Sequence, residues 1–294
     1  GNGSQILERI ANEVLASGEP DFPFCFCWAN ETWSGKWHGL DHEIIAEQTY
    51  PEGDAKKHFE YLLPFFQDKR YIKINGKPVF IVYDALDLEE NNTAYLKELR
   101  SLAKENGFDD LYIIAGNKTT DDYNYKKLGY AGKISSAFKD AWVEEMERQH
   151  NVATREVNKI SSYEYYKKRI IGILNSKSKD EIFKINPSVN QQDMNNIVEN
   201  LEFKATNVET YPCIMPNWDN TPRSGYNGIV VNNSTSENFK KQIDKAVSFL
   251  NKQDYEADFL VIKSWNEWAE GNIMEPDRKN GRMYLETFMD AMRD

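Results

Sequence analysis

The sequence predicts an α/β fold, because apolar, β-branched runs alternate with helical patterns along almost the whole chain. Such alternation is typical of a parallel sheet, either closed into a barrel or left open and doubly wound. No GxGxxG or P-loop segment follows a predicted strand, which removes the commonest nucleotide-binding reason for an open sheet. Polar, Trp-rich segments follow several strand ends, as in TIM-type barrels. We therefore expect a TIM-type (β/α)8 barrel.

Six apolar runs are predicted as buried strands of this sheet. They are PFCFCW at 23–28, PVFIVYD at 78–84, LYIIAG at 111–116, a weaker YAGKISSAF at 130–138, YPCIMP at 211–216 and DFLVIKSW at 258–265. A closed barrel needs eight strands. We expect either that two strands precede residue 1 in the native gene product or that the sheet is open.

Helical periodicity predicts the segments between the strands. Asp54 caps AKKHFEYLLPFF, while AYLKELRSLAKEN starts at Asn92 or Thr93 and ends at Gly107. The other predicted helices are SYEYYKKRIIGILN, QQDMNNIVENLEF and SENFKKQIDKAVSFLNK. A single catalytic domain over residues 1–294 is the simplest organisation for a chain of this length.

The composition argues against two classes of partner. No apolar run approaches the roughly 20 residues that span a bilayer, so the chain contains no predicted membrane span. The net charge of −11 would repel phosphate backbones, and Lys and Arg are scattered, so nucleic acid is not an expected partner. The histidines and cysteines show no metal-binding spacing, and we predict neither a metal nor another cofactor.

The three cysteines predict free thiols. Cys25 and Cys27 stand at strand spacing, too far apart along the backbone for a normal disulfide, and Cys213 is distant in sequence. Buried free thiols are typical of a reducing compartment, so the cytoplasm is the expected location.

Two glutamates three residues apart occur in SWNEWAEG at 264–271, directly after the last predicted strand. Ser264 and Glu267 fit a capping box at a helix start. Alternatively, Glu267 and Glu270 lie roughly 5 to 6 Å apart at Cβ on one helical turn, and their repulsion raises one pKa. One protonated and one ionised carboxyl beside aromatic rings is the acid and base pair of glycosidic chemistry. The neighbouring tryptophans are unusual for a cap and favour this second interpretation.

Two other polar segments at strand ends, WANETW at 28–33 and NWDNTPR at 217–223, contain candidate sugar-binding residues. Aromatic faces stack on sugar rings, and amide, carboxylate and guanidinium groups position hydroxyls. A loop with a helix-capping Asn and ordinary turn chemistry are the alternative explanations. With those of SWNEWAEG, the candidates are Trp28, Asn30, Glu31, Trp33, Trp218, Asp219, Asn220, Arg223, Trp265, Asn266 and Trp268.

Four ordered segments carry a family resemblance. WANETWSGKWHG at 28–39, the segment from EQTYPEGD to FIVYD at 47–84, NWDNTPR and SWNEWAEGNIMEPD at 264–277 resemble the WbsX-type family of glycosyltransferases from bacterial surface-polysaccharide gene clusters. The resemblance runs from about residue 5 to the end. That family is similar in turn to glycoside hydrolase family 99, retaining endo-enzymes that cleave α-mannans on a (β/α)8 barrel.

The link to those hydrolases is NEWAEG at 266–271, which resembles their NEWHEG motif. By position, the resemblance implies that Glu267 is the base for the sugar 2-hydroxyl, giving a 1,2-anhydro sugar, and that Glu270 is the general acid/base. Ala269 stands where the hydrolases have His, which leaves the sugar and the reaction open. Hydrolysis and transglycosylation both follow from the same intermediate.

The family's upstream stretch supplies its first two barrel strands, and GNGSQILERI resembles the point just after them. The resemblance thus implies that the six strands are the third to the eighth, that two sheet edges are unpaired, and that the upstream stretch helps to complete the site.

Two other functions stay open. The first is a glycosyltransferase of O-antigen or capsule biosynthesis that uses an activated sugar donor. Such enzymes often carry a DxD motif, which Asp109-Asp110 and Asp121-Asp122 do not fit. The second is a non-catalytic glycan-binding protein.

Overall fold

In a computed structural model, the protein is described over residues 7–35, 40–91, 94–116, 119–157, 190–225 and 228–293. The chain divides into two compact units. Unit 1 comprises Gly1–Ser136, Lys204–Pro212 and Lys252–Phe259, and unit 2 comprises Ala137–Phe203, Cys213–Asn251 and Leu260–Asp294. Each unit has a hydrophobic core of its own.

The elements are numbered in chain order. The strands are β1 (Phe26–Trp28), β2 (Trp33–Gly35), β3 (Leu40–Ala46), β4 (Lys73–Ile74), β5 (Lys77–Val82), β6 (Tyr112–Ala115), β7 (Gly132–Ile134), β8 (Asn190–Asp193), β9 (Glu209–Tyr211), β10 (Cys213–Ile214), β11 (Ile229–Asn232), β12 (Val261–Ile262), β13 (Asn266–Glu267) and β14 (Asn272–Ile273). The helices are α1 (Glu8–Ser17), α2 (Asp54–Gln67), α3 (Ala85–Asn91), α4 (Tyr95–Glu105), α5 (Ala137–Val157), α6 (Met194–Asn200), α7 (Thr221–Ser224), α8 (Ser236–Leu250) and α9 (Met283–Ala291).

Unit 1 is built on a parallel sheet whose strands neighbour one another in chain order, β1, β5, β6, β7 and β9. Val82 of β5 stands opposite Trp28 on one side and Ala115 on the other, so these strands end at a common edge. The prediction of an α/β protein with a parallel sheet is confirmed. Closure into a barrel stays a prediction.

The core of unit 1 explains why its helices form. In α2, Phe59, Leu62 and Phe66 recur at helical spacing and are buried. They share one cluster with Phe80 of β5 and with Leu99 of α4. Burying these side chains between sheet and helices supplies the main favourable term in the folding of the unit.

Unit 2 contains short strand pairs and four of its helices around a second core. β8 pairs with β11 and β10 with β12, both in parallel, while β13 and β14 form an antiparallel hairpin. Helix α8 buries Phe239, Ile243 and Ala246 in a cluster that also contains Ile197 of α6 and Tyr284 of α9. The same cluster contains Met274, which directly follows β14.

Two predicted boundaries are wrong. YPCIMP forms two strands, β9 and β10, because Pro212 has no N–H to donate to a ladder. QQDMNNIVENLEF begins as a strand, since Gln191 and Gln192 pair with β11. The helix α6 starts only after Asp193, whose carboxylate accepts a hydrogen bond from the Asn195 N–H at 2.9 Å.

The other predicted strands and helices are found with shifts of a few residues. Gly53, not Asp54, is the residue before the first turn of α2. Helix α4 starts at Tyr95, and its predicted start residues, Asn92 and Thr93, lie outside the described residues, as does the predicted helix SYEYYKKRIIGILN. The hairpin of β2 and β3 and the pairs β8–β11 and β13–β14 were not predicted. In each pair one or both strands are very short or polar, as β2, β8, β13 and β14 are, although β3 and β11 contain apolar residues.

The three cysteines are free. Cys25 and Cys213 are half-buried, whereas Cys27 is exposed, so the prediction that all three thiols are buried is wrong for Cys27. Phe26 and Trp28, on either side of Cys27 in β1, pack against the core of unit 1, so the alternation of a strand turns the Cys27 side chain to the opposite face.

Candidate active site

The SWNEWAEG segment forms a tight hairpin at the end of β12. Asn266 and Glu267 pair with Ile273 and Asn272, and a single 3₁₀ turn over Trp268–Glu270 joins them. Gly271 closes the turn at φ 54°, and a Cβ there would lie 2.6 Å from the Asp219 carbonyl oxygen. Only glycine tolerates both conditions.

The capping-box interpretation of Ser264 and Glu267 is wrong. No α-helix starts at this segment, and Glu267 forms no side-chain cap hydrogen bond with the 3₁₀ turn. The Ser264 N–H donates instead to Asn272 Oδ1 at 2.9 Å. The Glu267 carboxylate is therefore not used as a cap, while the backbone of the segment is held by its own hairpin.

Glu270 lies between two cations of the same unit. Arg223 Nη1 donates to Glu270 Oε1 at 3.2 Å, and Lys263 Nζ lies 3.8 Å from Glu270 Oε2. The Glu270 side chain is only 12% exposed. The backbone places these groups, because the Asp219 N–H donates to the Glu270 carbonyl at 2.9 Å and so joins the Arg223 loop to the hairpin.

The pKa of Glu270 is raised above its ordinary value. Burial, the largest cause, raises it, and the positive charge of Lys263 opposes that rise. The Glu267 carboxylate raises the Glu270 pKa further, and Arg223 opposes it. The Glu267 charge therefore acts on Glu270, and a proton is held more firmly at Glu270 than at an exposed glutamate.

Three of the candidate tryptophans lie in unit 2. Trp265 and Trp268 are 50% and 54% exposed. The Trp268 indole N–H donates to Glu275 Oε2 at 2.8 Å, which fixes the orientation of its ring. Trp218 is half-buried, with Lys263 Nζ 5.1 Å from its ring centre and Trp142 packed edge-on. Asn266 is exposed at the start of the hairpin.

Asp219 and Asn220 hold the loop that precedes Arg223. Asp219 Oδ1 accepts hydrogen bonds from the Thr221 N–H at 3.0 Å and the Thr221 hydroxyl at 2.6 Å. Asn220 is buried, and its Oδ1 accepts from the Ile229 N–H at 2.6 Å. These contacts start helix α7 and place Arg223, so the geometry gives both residues a part in building the loop.

The remaining candidates, Trp28, Asn30, Glu31 and Trp33, lie in unit 1. Asn30 is buried, donates to the Asp84 carbonyl at 2.7 Å and accepts from the Asp84 N–H at 2.8 Å, so it joins the ends of β1 and β5. Trp28 packs with its ring nearly parallel to Tyr95 at 5.1 Å. Glu31 is half-buried, and Trp33 is 39% exposed on β2.

Sequence reasoning missed Lys263 as a neighbour of Glu270. The signal was present, since Lys263 directly follows the apolar residues of β12, and a residue just beyond a parallel strand is placed where sites form. Arg223 was predicted as a clamp for sugar, but its contact with Glu270 could not be read from a sequence separation of 47 residues.

The chain matches the family described as Glycosyltransferase WbsX over residues 1–288. It belongs to the WbsX glycosyltransferase family. The name of the family describes carbohydrate-active enzymes, which agrees with the resemblance found in the motifs. Among the described residues of this member, no three His, Cys, Asp or Glu side chains are grouped as metal ligands would be. No helix in the described ranges combines the length and apolarity of a bilayer crossing.

Two curated relatives, both called Uncharacterized protein WxcX, come from Xanthomonas campestris pv. campestris strains B100 and ATCC 33913. Each is 23% identical over 99% of this chain. The chain spans 37% of the length of these relatives. A solved structure of a glycoside hydrolase-like protein aligns with 81% of the WbsX-family chain and 60% of its own, at 15% identity and a TM-score of 0.46.

Proposed function

We propose that this WbsX-family chain acts on glycosidic bonds of a bacterial polysaccharide, with Glu267 and Glu270 as its catalytic carboxyl pair. The observation that supports this most is the asymmetry of the pair. Glu270 is largely buried between Arg223 and Lys263 and has a raised pKa, whereas Glu267 makes no cap and acts on Glu270 through its charge. Unequal carboxyls of this kind suit a general acid beside a general base.

In the proposed first step, Glu267 takes the proton of the sugar 2-hydroxyl while O2 attacks C1. Glu270 gives its proton to the departing glycosidic oxygen, so the C1–O bond breaks and a 1,2-anhydro sugar forms. In the second step Glu270 takes a proton from water or from a sugar hydroxyl, whose oxygen attacks C1. The C1–O2 bond then breaks, O2 recovers the proton from Glu267, and the configuration at C1 is retained.

The proposal includes the single (β/α) barrel over residues 1–294 predicted from the sequence. Parallel strands in chain order support it, as does the place of Lys263 and the glutamate hairpin just beyond β12. Trp265 and Trp268, both half exposed, are the proposed sugar platforms of unit 2. Trp28, Asn30, Glu31 and Trp33 remain proposed contributors.

A second candidate is glycosyl transfer from an activated donor, which the name of the family favours. In that case Arg223 and Lys263 would face a donor's phosphate groups, and Glu267 or Glu270 would serve as base for the acceptor hydroxyl. The two reactions differ in what is consumed. A hydrolase or transglycosylase needs only a glycan, whereas the transferase releases a nucleotide or another phosphate leaving group.

The test is to incubate the protein separately with α-linked oligosaccharides and with nucleotide sugars, and to follow both by mass spectrometry. We expect oligosaccharide consumption, and a fall of about 10²- to 10⁴-fold in its rate in Glu267→Gln and in Glu270→Gln. Glu286→Gln is the matched control, because Glu286 is an exposed glutamate of α9 in the same unit.

Three results would contradict the proposal. Turnover that survives both substitutions excludes the carboxyl pair. Nucleotide release from a nucleotide sugar supports the transferase instead. Glycan binding without turnover of either substrate supports a binding protein.

A further inference from the structure

Unit 2 contains a groove of about 820 Å³ on one side of the glutamate hairpin. Its walls come from residues 217–222, 230–235 and 268–284. We call it the Trp268 groove. It includes Trp218, Asp219 and Trp268, but neither Glu267 nor Glu270 lines it. Its volume lies within the roughly 300 to 1,000 Å³ of small-molecule sites, so it has room for sugar residues beside those at the carboxyl pair.

The orientation of the Trp268 ring in this groove is fixed by a hydrogen bond. Its N–H is bonded to Glu275, while 54% of the residue stays exposed. An exposed indole that is fixed at its polar edge loses little freedom when a sugar ring stacks on it. Asn232 and Asn280 also line the groove. Their Nδ2 groups donate within the protein to Gln191 and Asp277, which leaves their Oδ1 atoms as acceptors for hydroxyls.

The two acidic side chains of the groove are already used by its own turns. Asp219 Oδ1 accepts two hydrogen bonds from Thr221. Asp277 accepts from the Lys279 and Asn280 N–H groups at 2.6 and 2.7 Å and from Asn280 Nδ2 at 2.9 Å. Their lone pairs are largely occupied, so they are poor partners for a ligand cation.

The two cations of the groove, in contrast, are available. Arg278 and Lys279 both line it and are exposed. Neither forms a close ion pair in the described part of the chain, although the charge of Lys279 helps to lower the pKa of the neighbouring Asp277. Two adjacent exposed cations at a groove stand out on a chain with a net charge of −11. Arg and Lys together are the usual donors to carboxylate and phosphate groups.

We infer that the Trp268 groove is a binding subsite for a negatively charged sugar residue of the glycan. The ring of that residue stacks on Trp268, and its carboxylate or phosphate group is bound by Arg278 and Lys279. The inference rests on the proposed function, because it assigns an acidic glycan to the same hairpin that carries Glu267 and Glu270.

The test measures affinity by titration calorimetry, so it does not depend on turnover. Three matched oligosaccharides are compared: one with a uronic acid residue, its carboxyl-reduced neutral form, and one with a phosphate monoester on the same sugar. We expect at least one anionic ligand to bind roughly 10- to 100-fold more tightly than the neutral one. The arm that binds identifies the anionic group.

Arg278→Gln/Lys279→Gln should remove this preference and leave affinity for the neutral ligand unchanged. Trp268→Ala should weaken all three ligands alike, and Trp268→Phe should restore part of the loss. The control is Lys240→Gln/Arg293→Gln, which removes the same charge from two exposed positions of unit 2, one on α8 and one beyond the end of α9. This control variant should keep the preference for the anionic ligand, because it changes the net charge of the protein but leaves the contacts of Arg278 and Lys279 in place.

Equal affinity for all three ligands, or a preference that survives Arg278→Gln/Lys279→Gln, overturns the inference. Glu267→Gln separates it from the proposed function, because that variant should lose turnover and still prefer the anionic glycan. A wild-type protein that prefers the anionic glycan without cleaving or transferring it would contradict the proposed function alone.

Discussion

Glu270 shows how one side chain depends on three others. Burial raises its pKa, Lys263 and Arg223 lower it, and Glu267 raises it. A general acid needs a pKa near the working pH, so this balance matters more than any single contact. The cations also compensate the charge that Glu270 carries after it has given up its proton, which would otherwise be costly in a largely buried position.

Lys263→Met should move the basic limb of the pH profile of kcat/KM to higher pH. Lys263 lowers the pKa of Glu270, so its removal lets that pKa rise, and the protonated acid then persists to higher pH. Lys263→Arg keeps the charge and should leave the limb in place. The measurement is the initial rate over a series of buffers. A limb that stays fixed, or moves to lower pH, in Lys263→Met would show that Lys263 does not act on Glu270.

The raised pKa of Glu270 also determines how its contribution to folding stability changes with pH. Because the folded-state pKa of Glu270 is raised, its contribution to stability is fully present below the unfolded pKa and is lost as the pH rises through the folded pKa. Ionisation of the Glu270 carboxyl therefore destabilises the folded protein. This behaviour is typical of a functional group and not of a group that stabilises the fold.

At the scale of elements, the hairpin of β13 and β14 and the loop before Arg223 depend on each other. Gly271 approaches the Asp219 backbone so closely that a Cβ would clash, and Asp219 starts the helix α7 that places Arg223. Helix α8 supports this region from the core of unit 2. Its own start is secured by Thr235, whose hydroxyl accepts from the Asn238 N–H at 3.3 Å.

Thr235→Ala should lower the free energy of unfolding by about 1 kcal/mol, because one helix N–H loses its cap. Thr235→Ser retains the hydroxyl and should cost only a fraction of that. Urea unfolding followed by circular dichroism measures both, with an unchanged slope expected. Equal midpoints for Thr235→Ala and wild type would mean that the cap contributes nothing.

At the scale of the whole molecule, the chain is stabilised by two separate hydrophobic clusters, one in each unit. Phe80 and Phe239 are fully buried members of the first and the second. Such closely packed cores are sensitive to the loss of a large ring. The substitution leaves a cavity, and the surrounding side chains relax to fill it only in part.

Phe239→Ala should destabilise unit 2 by about 3 to 5 kcal/mol. Hydrogen exchange followed by mass spectrometry should show faster exchange in α6 and α8, which pack around this ring's cluster. Lys240→Ala, at the exposed neighbouring position, should change little. Unchanged protection of α8 in Phe239→Ala would contradict a core centred on this residue.

Several features could be predicted from local pattern alone. The apolar runs of β5 and β6 and the periodicity of α2 and α8 are strong enough to identify strands, helices and the α/β class. The ordered motifs likewise identified the WbsX family, which matches residues 1–288. Glu267 and Glu270 could be proposed from the sequence as well, because both glutamates and the neighbouring tryptophans occur in one short segment.

The chemistry of each segment can therefore be read from the sequence: which runs are buried, which residues bring carboxyls and rings to a strand end, and which family the chain belongs to. Which segments meet in space depends on the folded chain. Arg223 contacts Glu270, and Asp219 and Asp277 use their carboxylates within turns while Arg278 and Lys279 stay exposed. Ion pairing and burial depend on distances in space. Residues that are far apart in the sequence come within those distances only after the core has packed.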